Sequence, residues 1–392
     1  MQEIPTDFIK MLHDLLGDEA SDLIKALDLP PVTSVRINKR KPGAEFIASS
    51  PVSWCKSGLY LDDRPEFITD PLLHAGAYYV QDASSMICET VIEILVNKLR
   101  IQEEGNYQEF EGFQVLDLCA APGGKTTAMI NALPDGAFIT ANEYSTKRVG
   151  ALIENLSKWG YQNVSVTNRD SSFFASQGEN YDIVAVDAPC SGEGMMRKEE
   201  MARQQWSINL INQCSSLQKD ILKNAVKTLK PGGYLIYSTC TFNRRENEEN
   251  AEFIAQELGI EPINLHFPEE WGIQKGIKTD LPVYRFMPHK TKGEGLFLSV
   301  FRKPGTWEPS KRVHTKNTGL KNPCIIESGA PYVEVNKETA LSYLRRESIK
   351  LPEDTPRGIV TITYKGLPLG QAKNIGSRAN NLYPKNWRIL KR

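Results

Sequence analysis

Two cysteines stand in segments that otherwise hold polar and turn-forming residues. Cys190 lies in "VDAPCSGEGMMRK" and Cys240 in "YSTCTFNRRENEEN". A buried free cysteine is ordinarily an inert small hydrophobe, and that reading suits Cys88, Cys119 and Cys214. The neighbours of Cys190 and Cys240 point to chemistry instead. Carbon 5 of a pyrimidine is too weak a nucleophile to take a methyl group from a sulfonium. A thiolate adding to carbon 6 turns the ring into an enamine, and carbon 5 can then attack. A base must afterwards remove the carbon 5 proton so that the thiol can leave. Covalent activation of this kind splits one hard step into easier ones. Asp187, beside Pro189 and Cys190, is placed to hydrogen-bond the nitrogen edge of such a ring. The residue types alone do not say which thiol attacks.

The segment "LDLCAAPGGKTTAMI", residues 116–130, runs from an apolar stretch through small residues into a helix-like pattern. A Walker loop needs G-x-x-x-x-G-K-[ST]; Gly124, Lys125 and Thr126 supply its end, but Cys119 occupies the place of the first glycine. The dinucleotide fingerprint G-x-G-x-x-G is absent as well. The turn still lets backbone approach a ligand through Ala120, Ala121, Gly123 and Gly124, and it leads into a helix N-terminus. Glu143, twenty residues after Gly123, can accept both hydroxyls of a ribose. Asp170 can receive the exocyclic amine of an adenine. Single carboxylates at strand ends are common on protein surfaces, but this ordered set is not. A ligand with adenosine, no pyrophosphate and a carboxylate is S-adenosylmethionine. Lys125 adds a cation, either to depress a thiol pKa or to meet a nucleic acid backbone.

The elements that must position these residues follow from the pattern between about 77 and 304. Apolar runs at Val115–Cys119, Phe138–Glu143, Val164–Asp170, Ile183–Pro189, Tyr234–Thr239 and Leu296–Lys303 predict strands. Helical periods at Lys125–Leu133, Thr146–Trp159, Ser216–Leu229 and Glu246–Leu258 lie between them. This alternation predicts a Rossmann-like α/β core, a mostly parallel sheet with helices on both faces. Ligands bind such sheets beyond the carboxyl ends of the strands, where the unusual residues fall.

Composition bounds the rest. The 392 residues allow two or three domains, read here as 1–76, 77–304 and 305–392. The last opens on the polar, linker-like "KPGTWEPSKRVHTKNTG". The seven cysteines are scattered and never spaced C-x-x-C, which argues against a disulfide framework or a metal site and predicts a reducing cytoplasm. The N-terminal residues carry no apolar run of signal-peptide type, and no stretch approaches membrane-spanning length. The net charge of −1 hides an asymmetry: residues 305–392 hold sixteen Lys and Arg against seven Asp and Glu. A basic end on an acidic body predicts a polyanionic partner.

Together "LDLCAAPGGKTT", "VDAPCSGEGMMRK", "YSTCTFNRRENE" and "RFMPHKTKGEGLFLSVFRK" resemble the RNA cytosine carbon-5 methyltransferases, the Fmu/NOL1/NOP2/sun group. "SVRINKR" at 34–40 and "YYVQDASSM" at 78–86 look like the family's upstream elements, so the resemblance covers most of residues 30–304. It implies a class I S-adenosylmethionine-dependent core. It implies that Cys240 is the nucleophile, that Cys190 assists product release, and that Asp187 and Lys125 serve the same centre. It also implies that Cys119, Ala120, Ala121, Pro122, Gly123, Gly124, Lys125, Glu143, Asp170 and Asp187 line the methyl-donor site. "GLPLGQAKNIGSRANNLYPKNWRIL" resembles the PUA-like RNA-binding end domain of bacterial enzymes acting on 16S ribosomal RNA, with a small α+β RNA-binding domain expected at the N-terminus.

The partner expected is therefore RNA, reached by a soluble monomer without membrane or metal. A base must be turned out of its stack, which favours a single-stranded or loop cytosine. Lys373, Arg378, Lys385 and Arg388 are candidate backbone contacts, Tyr383 and Trp387 candidate stacking platforms unless they are core, and Arg36 and Lys39–Lys41 a second basic contact. Rival readings are methylation of transfer RNA, a non-catalytic RNA-binding assembly factor, and a nucleotide triphosphatase using "GGKT".

Overall fold

Phe8, Leu12, Leu23 and Leu27 share one face of two amphipathic N-terminal helices, α1 (Thr6–Leu16) and α2 (Ala20–Asp28). That face is buried against Met196, Trp206, Ile211, Phe242 and Met287, more than 160 residues along the chain. The computed structural model describes residues 3–47, 49–102, 112–309 and 329–390. Most of the expected linker after residue 305, and Cys324, lie outside the described residues.

Four short strands follow: β1 (Ser34–Ile37), β2 (Ser49–Val52), β3 (Cys55–Leu61) and, after the one-turn helix α3 (Pro71–His74), β4 (Tyr78–Val80). They pair antiparallel in the order β2-β3-β1-β4. The N-terminal sheet thus takes its last strand from beyond residue 76.

The core alternates as α4 (Ile87–Gln102), β5 (Gln114–Asp117), α5 (Gly124–Ala132), β6 (Phe138–Asn142), α6 (Thr146–Trp159), β7 (Val164–Thr167), α7 (Ser171–Ala175) and β8 (Tyr181–Asp187). It continues with α8 (Glu200–Gln205), α9 (Ile208–Thr228), β9 (Leu229–Thr239), α10 (Glu248–Gln256), the short β10 (Glu261–Pro262) and β11 (Gln274–Lys275), β12 (Val283–Phe286) and β13 (Leu296–Arg302). The sheet order is β11-β12-β13-β9-β8-β5-β6-β7, with β7, β6, β5, β8 and β9 parallel and the rest antiparallel. Because β5 and β8 are apolar on both sides, each face needs cover. Val115, Ile183 and Ala185 face one core with residues of α4, α5 and α6. Leu116, Val184 and Val186 face another with residues of α7, α9 and α10. The order reverses between β5 and β8, which opens a crevice at their carboxyl ends.

One helix starts earlier than its sequence predicts. Ser207 accepts the amide of Leu210 and begins α9 eight residues before the expected Ser216. The inner face of that extra length carries Ile211 and then Ser215, polar but buried, which breaks the apolar period.

The C-terminal unit pairs β14 (Tyr332–Glu334), β15 (Gly358–Tyr364), β16 (Leu367–Asn374) and β17 (Ala379–Asn381) around α11 (Lys337–Leu344). Tyr383 and Trp387 are buried in its core. They are not free to stack on bases, which corrects that expectation. Lys373, Arg378, Lys385 and Arg388 are exposed, as a surface for a polyanion requires.

For Arg36, the second basic contact expected there is also corrected. Arg36 is fully buried. It donates to Gln81 Oε1 at 2.7 Å, Thr127 Oγ1 at 2.5 Å and the Thr127 carbonyl at 3.1 Å, and lies over the Trp159 ring at 4.7 Å. It therefore joins β1 to α5 and α6. Burial lowers its pKa to about 10, which leaves it charged at neutral pH. Lys39 pairs with Glu89 and Glu93, Arg40 with Asp135, and Lys41 donates to the carbonyls of Ala75 and Lys158. Arg36→Ala removes a buried stack and leaves acceptors unmet. It should cost about 3 kcal/mol, read in urea as a lower midpoint with an unchanged slope.

Candidate active site

Each parallel strand delivers one part of the site in the residues just past its end. Gly123 has φ of +108°, a conformation that only glycine adopts freely, and it caps α5. The turn before it is tied down on two sides: Ala120 N–H donates to the Asn142 carbonyl at 2.8 Å, and Arg148 donates to the Ala121 carbonyl. Asn142 Nδ2 bridges the carbonyls of Leu118 and Arg169 at 3.1 and 3.0 Å, fixing the ends of β5, β6 and β7 together.

A cleft of about 730 Å³ opens there. Its walls include Cys119, Ala121, Glu143, Asp170, Asp187, Cys190 and Cys240. Ala120, Pro122, Gly123, Gly124 and Lys125, expected with them, are not among the lining residues. Side chains at Gly123 and Gly124 would meet Leu152 and Gln81 instead. Those residues shape the turn, while Cys119 and Ala121 face the cavity.

Glu143 is buried at one end. Its Oε1 accepts the Ser145 amide at 2.8 Å, while Oε2 has no hydrogen bond and only Arg148 Nη1 at 3.5 Å. An orphaned carboxylate oxygen facing a cavity suits a ligand hydroxyl. Asp170 is exposed and caps α7 through the Ser172 amide at 2.9 Å, which holds its carboxyl below the ordinary value. Tyr144 also lines the cleft, 72% exposed, and was not singled out from the sequence.

At the other end, the sulfurs of Cys190 and Cys240 are 3.3 Å apart, both as free thiols. Contact with the Cys240 sulfur, and then burial, push the Cys190 thiol well above its ordinary value. Either sulfur can donate its S–H to the other. Burial pushes Cys88 and Cys214 to about 12 and Cys119 well above the ordinary value, so all three are unreactive thiols at neutral pH.

Lys125 Nζ meets Asp187 Oδ1 at 2.8 Å, and Ser238 Oγ donates to the same oxygen at 2.9 Å. Burial works to lower the Lys125 pKa, but Asp187 outweighs it and holds the ammonium above its ordinary value. This pair occupies Lys125, so the reading of Lys125 as a contact to a nucleic acid backbone is corrected. It leaves the other Asp187 oxygen for a ligand. Sequence reasoning missed Glu193 and Glu246, buried between the two cysteine loops. Nothing in spacing separates them from the surface glutamates around them.

A family model described as the 16S rRNA methyltransferase RsmB/F matches residues 106–302, half of the chain. The chain belongs to that family. Models of the RsmF N-terminal domain and the RsmF PUA domain match residues 4–83 and 330–389. Proteins named ribosomal RNA small subunit methyltransferase F are similar along much of the chain. The one from Pectobacterium atrosepticum is 31% identical over 79% of this chain and 64% of its own length. The one from Shewanella amazonensis is 31% identical over 88% and 71%, and that from Erwinia tasmaniensis 28% over 97% and 96%. The chain spans just under two thirds of the first of these RsmB/F relatives. Among solved structures, NSun6 from Pyrococcus horikoshii with SFG has TM-score 0.64 at 20% identity, covering 77% of this chain and 99% of that one. A methyltransferase homolog from the same organism has TM-score 0.63 at 25% identity, covering 76% and 95%. The core has the S-adenosylmethionine-dependent methyltransferase fold of the RsmB/F family.

Two outcomes follow for this site. Glu143→Ala should weaken methyl-donor binding ten- to a hundredfold, as loss of a hydrogen bond to a charged group does; calorimetry that finds unchanged affinity removes Glu143 from the donor site. Asp117, buried at the end of β5, has its pKa raised to about 7 by burial, despite the Thr126 hydroxyl on its Oδ2. Its folded pKa exceeds its unfolded one, so its contribution to stability is greatest below about pH 4 and declines as pH rises to about 7. Asp117→Asn should flatten that decline in urea titrations between pH 4 and 8.

Proposed function

We propose that this protein methylates carbon 5 of a cytosine in small-subunit ribosomal RNA through a covalent adduct between Cys240 and carbon 6. The observation that carries the reading is the pair of sulfurs, 3.3 Å apart, in the same cleft as Glu143 and Asp170. S-adenosylmethionine, when bound, supplies an electrophilic methyl group. Glu143 would hold its ribose, Asp170 its adenine amine, with the exposed Tyr144 ring beside them.

The chain's own groups serve the thiol and the ring. Cys240 would attack carbon 6 as its thiolate, its proton passing to solvent, with the Cys190 S–H turned toward its sulfur. After methyl transfer a base, water or a side chain in the cleft, takes the carbon 5 proton, the carbon 5–carbon 6 double bond re-forms and the Cys240 thiolate leaves. Asp187, held by Lys125 and Ser238, presents its remaining oxygen to the nitrogen edge of the ring. The Lys125 cation also interacts electrostatically with the Cys240 sulfur, and a cation beside a thiol favours its thiolate form. RNA contacts would come from Lys373, Arg378, Lys385 and Arg388 on the C-terminal unit. Arg345 and Arg346 border the same groove as Lys385 and Arg388 and enlarge that surface. The relatives' names support ribosomal RNA over transfer RNA.

RNA carrying 5-fluorocytosine at the target traps the adduct, because the fluorine cannot be removed as a proton. Cys240→Ala should form no adduct and transfer no methyl group, whereas Cys190→Ala should accumulate a protein–RNA adduct with ordinary RNA. Denaturing gels read both. An adduct in Cys240→Ala would assign the nucleophile elsewhere, and clean turnover by Cys190→Ala would reject its role in release.

A further inference from the structure

The two cysteine loops hold each other by exchanged carboxylates. Glu193 follows Cys190, and its side chain crosses to the other loop. Its Oε2 accepts the backbone amides of Phe242 and Asn243 at 2.5 and 2.9 Å, just past Cys240. Glu246 follows Cys240 and crosses back: its Oε2 accepts the backbone amide of Ser191 at 3.0 Å, just past Cys190. The Asn243 amide lies between them, donating to Oε1 of Glu193 at 2.9 Å and of Glu246 at 2.8 Å. Trp206 Nε1 completes Glu193 at 2.9 Å, and Gln218 Nε2 completes Glu246 at 2.7 Å.

Both glutamates are fully buried. Among the described residues neither has a basic side chain within ion-pair distance; the charges are carried by N–H donors and, for Glu193, by the Ser191 hydroxyl at 3.4 Å. Isolated buried carboxylates are costly, so their geometry is retained only where the donors converge on them. Backbone contact follows the same path. Gly194 N–H donates to the Cys240 carbonyl at 2.8 Å, and a side chain at Gly194 would come within 2.9 Å of that oxygen.

We propose that Glu193 and Glu246 are positioning residues that set the separation of the two thiols, and with it the transfer of the adducted base from attack to release. The proposal rests on the mechanism above only for its catalytic consequence; the separation itself can be read without RNA. Diamide oxidises a thiol pair: its N=N bond takes up both hydrogens and two electrons, becoming a hydrazine, while the sulfurs join. Sulfurs 3.3 Å apart need little motion to do this.

The test compares wild type with Glu193→Gln and Glu246→Gln in the full chain. A glutamine keeps the size but turns an NH2 toward groups that are themselves donors. The rate of Cys190–Cys240 disulfide formation, followed by the 2 Da loss on the joined peptides, should fall at least tenfold. For methyl transfer, kcat should fall by a similar factor, with donor affinity and KM for RNA unchanged. If the glutamine variants do not fold, Asn243→Ala removes only the shared amide and should give the same pattern at smaller amplitude. Wild-type disulfide and methyl-transfer rates in a folded variant would overturn the clamp. Slowed disulfide formation in the variants, with no methyl transfer even by wild type, would leave the clamp standing and remove the proposed enzyme.

Discussion

The parallel pairing of β8 with β9 is the constraint on which the site depends. Asp187 pairs with Ser238 at the last rung of the ladder. Neighbouring strands run about 4.8 Å apart, so residues two or three steps beyond that rung must meet. Cys190 and Cys240 are those residues. The strand register therefore settles which two of the cysteines can cooperate. The other sheet pairings place Cys119, Glu143 and Asp170 the same way, at the ends of β5, β6 and β7, so a slip in any of them would take a residue out of the cleft.

Much of this was legible in the sequence for one reason: parallel strands buried on both faces read as apolar runs, and their ends are marked where polar and turn residues begin. The residues at those ends, Cys119, Glu143, Asp170, Asp187, Cys190 and Cys240, could be found without coordinates. What was not legible is polar chemistry that stays inside. Arg36 stands in a basic stretch and reads as a surface cation, yet its neighbours are Gln81, Thr127 and Trp159, brought near only by tertiary structure. Tyr383 and Trp387 read as platforms because basic residues surround them, and the burial of both shows that the cations decorate a core. The early part of α9 was hidden because Ser215, polar on a buried inner face, breaks the apolar period after Ile211.

Charge in the cleft is divided rather than pooled. Lys125 is neutralised by Asp187, and Glu143 has Arg148 near its free oxygen. Glu193 and Glu246 are satisfied by N–H donors and the Ser191 hydroxyl. This keeps the sulfurs from facing a bare carboxylate at contact distance, which would oppose a thiolate.

The N-terminal helices have a consequence for how the molecule can be divided. Arg197 donates to the Ala26 carbonyl and Arg203 to that of Leu27, and the same helices cover Met196 and Phe242, which flank the cysteine loops. The first thirty residues are thus the floor beneath a centre made some two hundred residues later. Such long-range closure is slow to form. On a ribosome, the emerging chain would hold its earliest helices without their partners until the segment around Met287 had been synthesised. An exchange of N-terminal domains between relatives would move part of the foundation beneath the two cysteine loops with it.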